Sequence, residues 1–564
     1  MLGQILVVLR EKLVESGVPD AVIEKIQTSE PPSAELGDIA IACFFLAPVW
    51  AVKPIEAATR VAEMLEGAHD AIAAVRVAGP YVNISVRTEW LVAGLSHAGS
   101  LRKKEVKTRL RKSPRIMFEY CQPNTHKEFH IGHMRNACYG SALVNIWRGA
   151  GRNVMAVTYN NDVGSGVSKT VWAYKKFHSE EKPPKEKGRW LAGMYVEATR
   201  LLEEHPEWKE EVSDVLRKLE SGDKEWHKLW KTTRQWSLDE FKAIYKELGL
   251  KFDASFNESD IKERGHEIAE ELLQRGIAKQ SQGAVIMDFE AMKKGVLILR
   301  KSDGAGNYAT SDLALAEKKF KKYVVDEAVI VTDNRQDLYF EQLFMTLQAY
   351  GFTQKFTHLS YDLVTLPEGA MSSRKGTVVL YESLRDEVVD GAIAETEKRH
   401  PEWSAKKVRT VAHALAIAAI KFTMVRSSPQ KIIVFDKSEM LSFEGYTAPY
   451  LEYTLARISS IFKKAGRVVR MPKQFAWTER EHALWVKLAR GGDVVDSAAA
   501  ANDPSELARY CFELAKDFAS YYENSHVLDT DAQVRAARLL LCRNIQASLS
   551  THMQMLGLPI VSEM

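Results

Sequence analysis

Phe118-Glu119-Tyr120-Cys121-Gln122-Pro123-Asn124-Thr125-His126-Lys127-Glu128-Phe129-His130-Ile131-Gly132-His133 joins three textures in sixteen residues. The run Ile116 to Tyr120 is strand-like, the middle is a polar loop, and a helical pattern begins at His133. A strand feeding a helix in this way is half of a parallel α/β unit. Free N–H groups and a partial positive charge at the helix start favour phosphate, and Gly132 lets a nucleotide approach the backbone closely. His130 and His133 flank that glycine and can donate hydrogen bonds to phosphate oxygens as charge shifts in a transition state. With 15 histidines and 32 glycines in 564 residues, His-Ile-Gly-His arises by chance in on the order of one such chain in a thousand. A core or capping role explains one of the histidines, but not the pair at this spacing.

Outward from this segment the α/β texture continues through Val154–Tyr159 and Val329–Thr332. We therefore expect a Rossmann-type parallel-sheet domain over 116–390. A charged, tryptophan-rich helical insertion at about 177–260 is expected within it, with Trp190, Trp208, Trp226, Trp230 and Trp236 as packing anchors. Residues 1–100 read as a small α+β domain, with a helical start at Ile5, Leu6, Leu9 and Leu13 and strand alternation near Val75–Val86. Residues 101–115 read as a basic linker. In it Arg102, Lys103, Lys104, Lys107, Arg109, Arg111, Lys112 and Arg115 face only Glu105, which suits either a solvated connector or a phosphate contact. From 391 to 564 strand signals fade and helical periodicity predicts an all-α domain. The fold class is thus a multidomain α/β protein.

A length of 564 residues requires several domains. Lys and Arg number 77 against 74 Asp and Glu, a net +3, so nucleic-acid binding would have to use local patches. Five cysteines without CxxC spacing argue against a disulfide framework or zinc knuckle and suit a reducing cytoplasm. No metal site of the protein's own is expected. The apolar run at Ile5–Leu9 is too short for a signal peptide, and Ala412–Met424, interrupted by His413 and Lys421, reads as a buried helix rather than a membrane span.

A second motif lies some 240 residues on: Gly369-Ala370-Met371-Ser372-Ser373-Arg374-Lys375-Gly376. Small, hydroxylic and basic residues on a glycine-bounded loop suit a clamp on polyphosphate. Alone it equally describes an exposed turn or a phosphorylation site. In order and separation, however, the two motifs resemble the HIGH and KMSKS signatures of class I aminoacyl-tRNA synthetases. The residues around them resemble the arginine member. These are Phe118–Asn124, Tyr308-Ala-Thr-Ser-Asp312, Asp333-Asn-Arg-Gln336 and Thr447-Ala-Pro-Tyr450-Leu-Glu-Tyr453, with Ala456-Arg457-Ile458. Leu36-Gly37-Asp38 and Val77–Ile84 resemble its N-terminal domain, so the likeness covers nearly the whole chain.

The resemblance implies arginine-tRNA ligation by a cytoplasmic, monomeric enzyme, with ATP and nucleotide-bound Mg²⁺, tRNA(Arg) and L-arginine as partners and no membrane. Activation would depend on bound tRNA. ATP would be held by Asn124, His130, Gly132, His133, Met371 and Ser372. Catalysis would fall to His130, His133, Lys127, Ser372, Ser373, Arg374 and Lys375. Arginine would be held by Glu119, Gln122, Pro123, Asn124, His133, Tyr308, Asp312 and Gln336. Chemistry independently supports this pocket. A guanidinium carries five donors and a permanent charge, and Glu119, Asp312, Tyr308 and Gln336 supply the acceptors. We expect the carboxylates to face the guanidinium and Asn124 the α-amino end. The helical domain would contact the anticodon loop through Tyr450, Tyr453 and Arg457, although core packing serves the two tyrosines equally well.

The sequence departs from the family pattern at several places. Ala370 stands where most members carry Lys, one cation fewer beside the leaving pyrophosphate, and Lys127, just upstream of His130, is the candidate substitute. Asn161-Asp162-Val163-Gly164-Ser165-Gly166 resembles an Asp-Trp-Gly-Thr-Gln motif, with Val163 and Gly166 in place of Trp and Gln. Gln122 replaces a usual Ser, and Tyr446 a frequent Asn. Two alternatives stay open: a sister class I synthetase, or a non-catalytic paralogue that binds tRNA or arginine.

Overall fold

A computed structural model describes residues 1–302, 307–365, 379–435, 437–465, 475–561 and 563–564. The N-terminal unit sets α1 (Gly3–Glu15) and α2 (Pro54–Leu65) against an antiparallel sheet of β1 (Thr28–Ser29), β2 (Ile39–Ala42), β3 (Ile72–Ala78) and β4 (Tyr81–Val86), in the order β1-β2-β4-β3. Helix α3 (Thr88–Lys112) then carries the chain to the main sheet.

The residues expected to form a linker at 101–115 are therefore largely helical. Lys, Arg, Leu and Glu are strong helix formers, no Gly or Pro interrupts them, and Arg109, Arg111 and Lys112 in the last turn complement the helix dipole. The connection shrinks to Ser113-Pro114, because β5 begins at Arg115.

Five parallel strands form the central sheet: β5 (Arg115–Glu119), β6 (Asn153–Asn160), β7 (Ala254–Asn257), β11 (Glu327–Asp333) and β12 (Lys355–Tyr361), ordered β12-β11-β5-β6-β7. Helix α4 (Ile131–Gly149) joins β5 to β6. The insertion α5 (Ser165–Ala173), α6 (Lys187–Glu204), α7 (Lys209–Glu220) and α8 (Lys224–Glu247) precedes β7. It thus starts and ends earlier than the expected 177–260, and Ala254–Asn257 belong to the sheet. Helix α9 (Lys262–Gln274) leads into a small antiparallel sheet of β8 (Lys279–Ser281), β9 (Ala284–Asp288) and β10 (Val296–Arg300) that periodicity did not signal. Helices α10 (Tyr308–Lys322) and α11 (Asp337–Tyr350) flank β11.

β5 shows why the domain holds together. Ile116, Met117, Phe118 and Glu119 are all buried, as a central parallel strand covered on both faces requires. Phe118 joins the core shared with α4 and the C-terminal helices, whereas Met117 faces the core built by α9, α10 and α11.

The described remainder is mainly helical: α12 (Tyr381–Arg399), α13 (Ala405–Val425), α14 (Ala448–Ala465), α15 (Glu479–Ala501), α16 (Pro504–Asn524) and α17 (Ala532–Met555), with one short parallel pairing of Ile433–Val434 to Val364–Thr365. Helix α12 runs across the expected boundary at 390/391. Helix α13 is long and apolar enough to cross a membrane, but most of it is buried within the helical domain. All five cysteines are buried free thiols.

The insertion is fastened to the sheet at Asp162, which is 0% exposed. Its carboxylate accepts hydrogen bonds from Arg234 Nε at 2.5 Å, Ser259 N at 2.8 Å and Ser259 Oγ at 2.7 Å, and its carbonyl accepts Trp230 Nε1–H at 2.8 Å. Removing one partner of such a buried pair strands the other. Asp162→Ala should therefore lower unfolding free energy by about 3 kcal/mol, read as a lower denaturant midpoint; an unchanged midpoint would refute the fastening role.

Candidate active site

The loop between β5 and α4 carries five of the predicted site residues, Gln122, Pro123, Asn124, Lys127 and His130, and its path is unusual. Cys121 and His126 both take left-handed φ, +60° and +61°. Each is pinned. Cys121 N–H donates to Asn136 Oδ1 at 2.6 Å, while its carbonyl accepts Thr158 Oγ1 at 2.5 Å. His126 is fully buried, with its ring between Thr125 Oγ1 at 3.0 Å and Thr233 Oγ1 at 2.9 Å and its N–H on Ser237 Oγ. Burial and then Arg234 push His126 down to about 3, so it is a neutral anchor to α8 rather than an acid or base.

At the loop's end the two histidines cap α4 reciprocally. His130 Nδ1 accepts the N–H groups of Gly132 at 3.1 Å and His133 at 3.4 Å, and His133 Nδ1 accepts His130 N–H at 3.3 Å. The rings stack with centroids 3.8 Å apart. A Cβ on Gly132 would lie 2.9 Å from His130 Cε1, so glycine is needed here for the ring as well as for a ligand. Burial, then the charges of Lys127 and Arg335, lowers His130 to about 4; burial, then His130, places His133 well below its ordinary value. Each ring is neutral with Nδ1 as acceptor, which leaves the proton on Nε2 as a free donor.

A cavity of about 600 Å³ brings together Glu119, Gln122, Asn124, His130, Gly132, His133, Tyr308, Asp312 and Gln336, residues from β5, its loop, α4, α10 and the turn after β11. Pro123 is not in its wall; its carbonyl accepts Asn161 N–H at 3.1 Å and so fixes the loop beside β6. Ala370 and the predicted Met371, Ser372, Ser373, Arg374 and Lys375 lie outside the described residues.

The carboxylates are not equivalent. Glu119, 4% exposed, pairs with the Lys319 ammonium and accepts Gln122 Nε2–H at 3.3 Å. Asp312 accepts the Tyr339 hydroxyl. Glu258, which sequence reading did not select, accepts Ser311 Oγ–H at 3.2 Å. Burial first, then the Tyr339 hydrogen bond acting downward and Glu119 upward, leaves Asp312 at about 7. Burial and then Asp312 raises Glu258 to about 7. Two desolvated carboxyls, Asp312 raised further by Glu119 and Glu258 by Asp312, form a site that a permanent cation would relieve. Lys319 was also missed, although it sits seven residues after Asp312 on one helix face, a readable spacing. Nothing in the sequence around Glu258 signalled its burial.

The predicted tRNA contacts divide. Tyr453 and Arg457 share a cleft of about 740 Å³ in the helical domain with Lys463, Lys464, Tyr522 and His526. The Arg457 guanidinium lies 4.7 Å from the Tyr453 ring centre and 5.2 Å from that of Tyr522. Tyr450 instead packs against Phe512, with ring centres 5.5 Å apart, and is outside that cleft.

Comparison with known proteins converges on one family. Residues 97–436 match the family model described as tRNA synthetases class I (R), catalytic domain. Residues 4–86 match the arginyl tRNA synthetase N terminal domain, and 451–564 the DALR anticodon binding domain. The arginine-tRNA ligase of Bdellovibrio bacteriovorus is 38% identical over 95% of this chain and 93% of its own. That of Treponema pallidum is 33% identical over 95% and 94%. The solved Thermus thermophilus arginyl-tRNA synthetase superposes with a TM-score of 0.81 at 26% identity, covering 99% of both chains. With the histidine-capped helix, the acidic cavity and the three domains in the same order, the chain belongs to the arginyl-tRNA synthetases of class I.

Proposed function

We propose that this protein is an arginine-tRNA ligase. The arginine carboxylate attacks the α-phosphorus of ATP and pyrophosphate leaves with its bonding electrons; a ribose hydroxyl of the terminal adenosine of tRNA(Arg) then attacks the carbonyl of the adenylate, loses its proton and displaces AMP. The observation that carries this reading is one cavity lined both by an N-terminal helix turn with two Nε2–H donors and by Asp312, with Glu258 close behind it. The first suits polyphosphate and the second a guanidinium. No covalent enzyme intermediate is required, so catalysis rests on positioning and electrostatics.

His130 and His133 donate to phosphate oxygens, Asn124 holds the α-amino end of the arginine, Gln336 offers an acceptor to its guanidinium, and Tyr308 stands at the mouth, 67% exposed. The clamp at Met371–Lys375 is assigned by family resemblance. Among the described residues no three acidic, histidine or cysteine side chains converge as a cage, so Mg²⁺ is proposed to arrive on the nucleotide, where it would offset phosphate charge. The cleft at Tyr453 and Arg457, with the rings of Trp403, Tyr453 and Tyr522 and the cations Arg457, Lys463 and Lys464, of which Lys463 pairs with Glu563, suits stacking and phosphate contact with an anticodon loop.

Incorporation of labelled pyrophosphate into ATP should require arginine and tRNA together. Exchange with cysteine, methionine or glutamate instead would overturn the substrate assignment, and no exchange with any of them the enzymatic one. Lys127→Ala should reduce exchange at least about tenfold, the loss of one charge–phosphate interaction, with the KM for arginine unchanged; undiminished exchange would show that Lys127 does not replace the cation absent at Ala370.

The raised carboxyls predict a pH dependence. Below about 7 Asp312 and Glu258 hold protons, whereas the guanidinium is charged throughout. Arginine binding should therefore strengthen as pH rises from 6 to 8, by up to roughly tenfold per unit where one proton is released. Calorimetry in buffers of different ionisation enthalpy reads that release directly, and zero net proton exchange at pH 6.5 would contradict the assignment.

A further inference from the structure

Lys127 is held in an uncommon way. Its ammonium lies 4.9 Å from the ring centre of Tyr195 on insertion helix α6, and Lys169 on α5 approaches the same ring at 5.7 Å. Among the described residues no carboxylate pairs with Lys127, so its charge is not neutralised. Lys127 does not line the cavity, but its charge lowers both His130 and His133, which do.

The room for Lys127 comes from Gly166, in the first turn of α5. A Cβ there would lie 2.9 Å from Lys127 Cε, 3.4 Å from its Nζ and 3.7 Å from Tyr195 Cε2. The backbone at Gly166 is not left-handed, so space rather than conformation demands a glycine. The resembled motif carries Gln at this position. A Gln side chain would have to occupy the volume that the Lys127 stem now fills.

We propose that Gly166 and Tyr195 are positioning residues for Lys127. Gly166 opens a slot beside α5, and the Tyr195 ring at its end steadies the ammonium without neutralising it. The charge thus stays available to the polyphosphate of the nucleotide. A carboxylate in place of the ring would hold the lysine more firmly but cancel its charge, whereas a cation–π contact is weak enough to yield. On this view the helical insertion contributes to the reaction centre through Tyr195, and the departure at Gly166 is coupled to the use of Lys127. The proposal rests on the reading of Lys127 as a phosphate-facing cation, and its test separates the two.

The test is a double-mutant cycle in arginine- and tRNA-dependent pyrophosphate exchange, with KM for pyrophosphate and for arginine measured separately and a thermal midpoint recorded for each variant. In the parent protein Gly166→Gln should raise the KM for pyrophosphate or lower kcat about tenfold and leave the KM for arginine unchanged. Tyr195→Leu should lose about three- to tenfold, the range of one cation–π contact, and Tyr195→Phe, which keeps the ring, should stay within about twofold. In a Lys127→Ala background Gly166→Gln and Tyr195→Leu should cost nothing further. Equal losses in both backgrounds, or Tyr195→Phe as damaging as Tyr195→Leu, would overturn the positioning roles while leaving the Lys127 reading intact. Normal exchange by Lys127→Ala alone would overturn that reading, and the positioning roles with it.

Discussion

The site depends on one pinned peptide. At Cys121 the chain leaves β5 with φ of +60°, a conformation that costs about 1 kcal/mol for a residue with a Cβ. Asn136, from α4, and Thr158, from β6, grip the N–H and carbonyl of that residue. Asn136 Nδ2 also donates to Val331 O on β11 at 2.8 Å and to Gln122 Oε1 at 3.2 Å. One asparagine thereby ties the loop, its following helix and a neighbouring strand together. Glu119 precedes the pinned residue, and Gln122, Asn124, Lys127 and His130 follow it, so their common orientation is inherited from this knot. Parallel sheets place ligands at the carboxyl ends of their strands, and here the knot fixes which groups meet there.

Electrostatics in the cavity then divides labour among similar groups. Glu119 is matched by Lys319 and is a fixed part of the wall. Among the described residues Asp312 and Glu258 have no such ion pair, and burial raises both to about 7. A buried carboxyl without a counter-ion is a reservoir of unfavourable solvation energy. In the proposed function a cationic substrate that enters the cavity relieves it, whereas a neutral one of similar shape does not, so discrimination would come from the cost of leaving charges unmatched as much as from the attraction of the matched pair.

Much of this was legible beforehand, for identifiable reasons. Val154–Tyr159 and Val329–Thr332 declared themselves as strands because buried parallel strands read as short apolar runs. His-Ile-Gly-His was informative because two histidines and a glycine are rare together. The linker at 101–115 was misjudged because charge density suggests solvation while saying little about helicity, and the same residues are good helix formers. Tyr450 and Tyr453 lie three apart on α14, close on one face, yet one packs on Phe512 and the other opens to a cleft; the difference is made by α16, which brings Phe512 and Tyr522 alongside. Such tertiary decisions leave no local trace. Lys319 and Glu258 illustrate the same limit from the other side: their partners lie 200 and 53 residues away.

The paired histidines show how folding and chemistry can share one arrangement. A helix N-terminus needs acceptors for its free N–H groups, and Nδ1 of each ring supplies one. An imidazole that accepts at Nδ1 is neutral and carries its proton on Nε2. Adding a proton would place it on Nδ1, turn an acceptor into a donor facing an N–H group, and break the cap. Burial and the neighbouring charges of Lys127 and Arg335 oppose protonation as well, which keeps His130 at about 4. At neutral pH both rings are therefore held in the tautomer that offers N–H donors outward. Gly132, one of the two residues between them, leaves room for that ring geometry where any Cβ would push His130 aside. The requirement to cap a helix thus fixes the protonation state that the proposed phosphate binding needs.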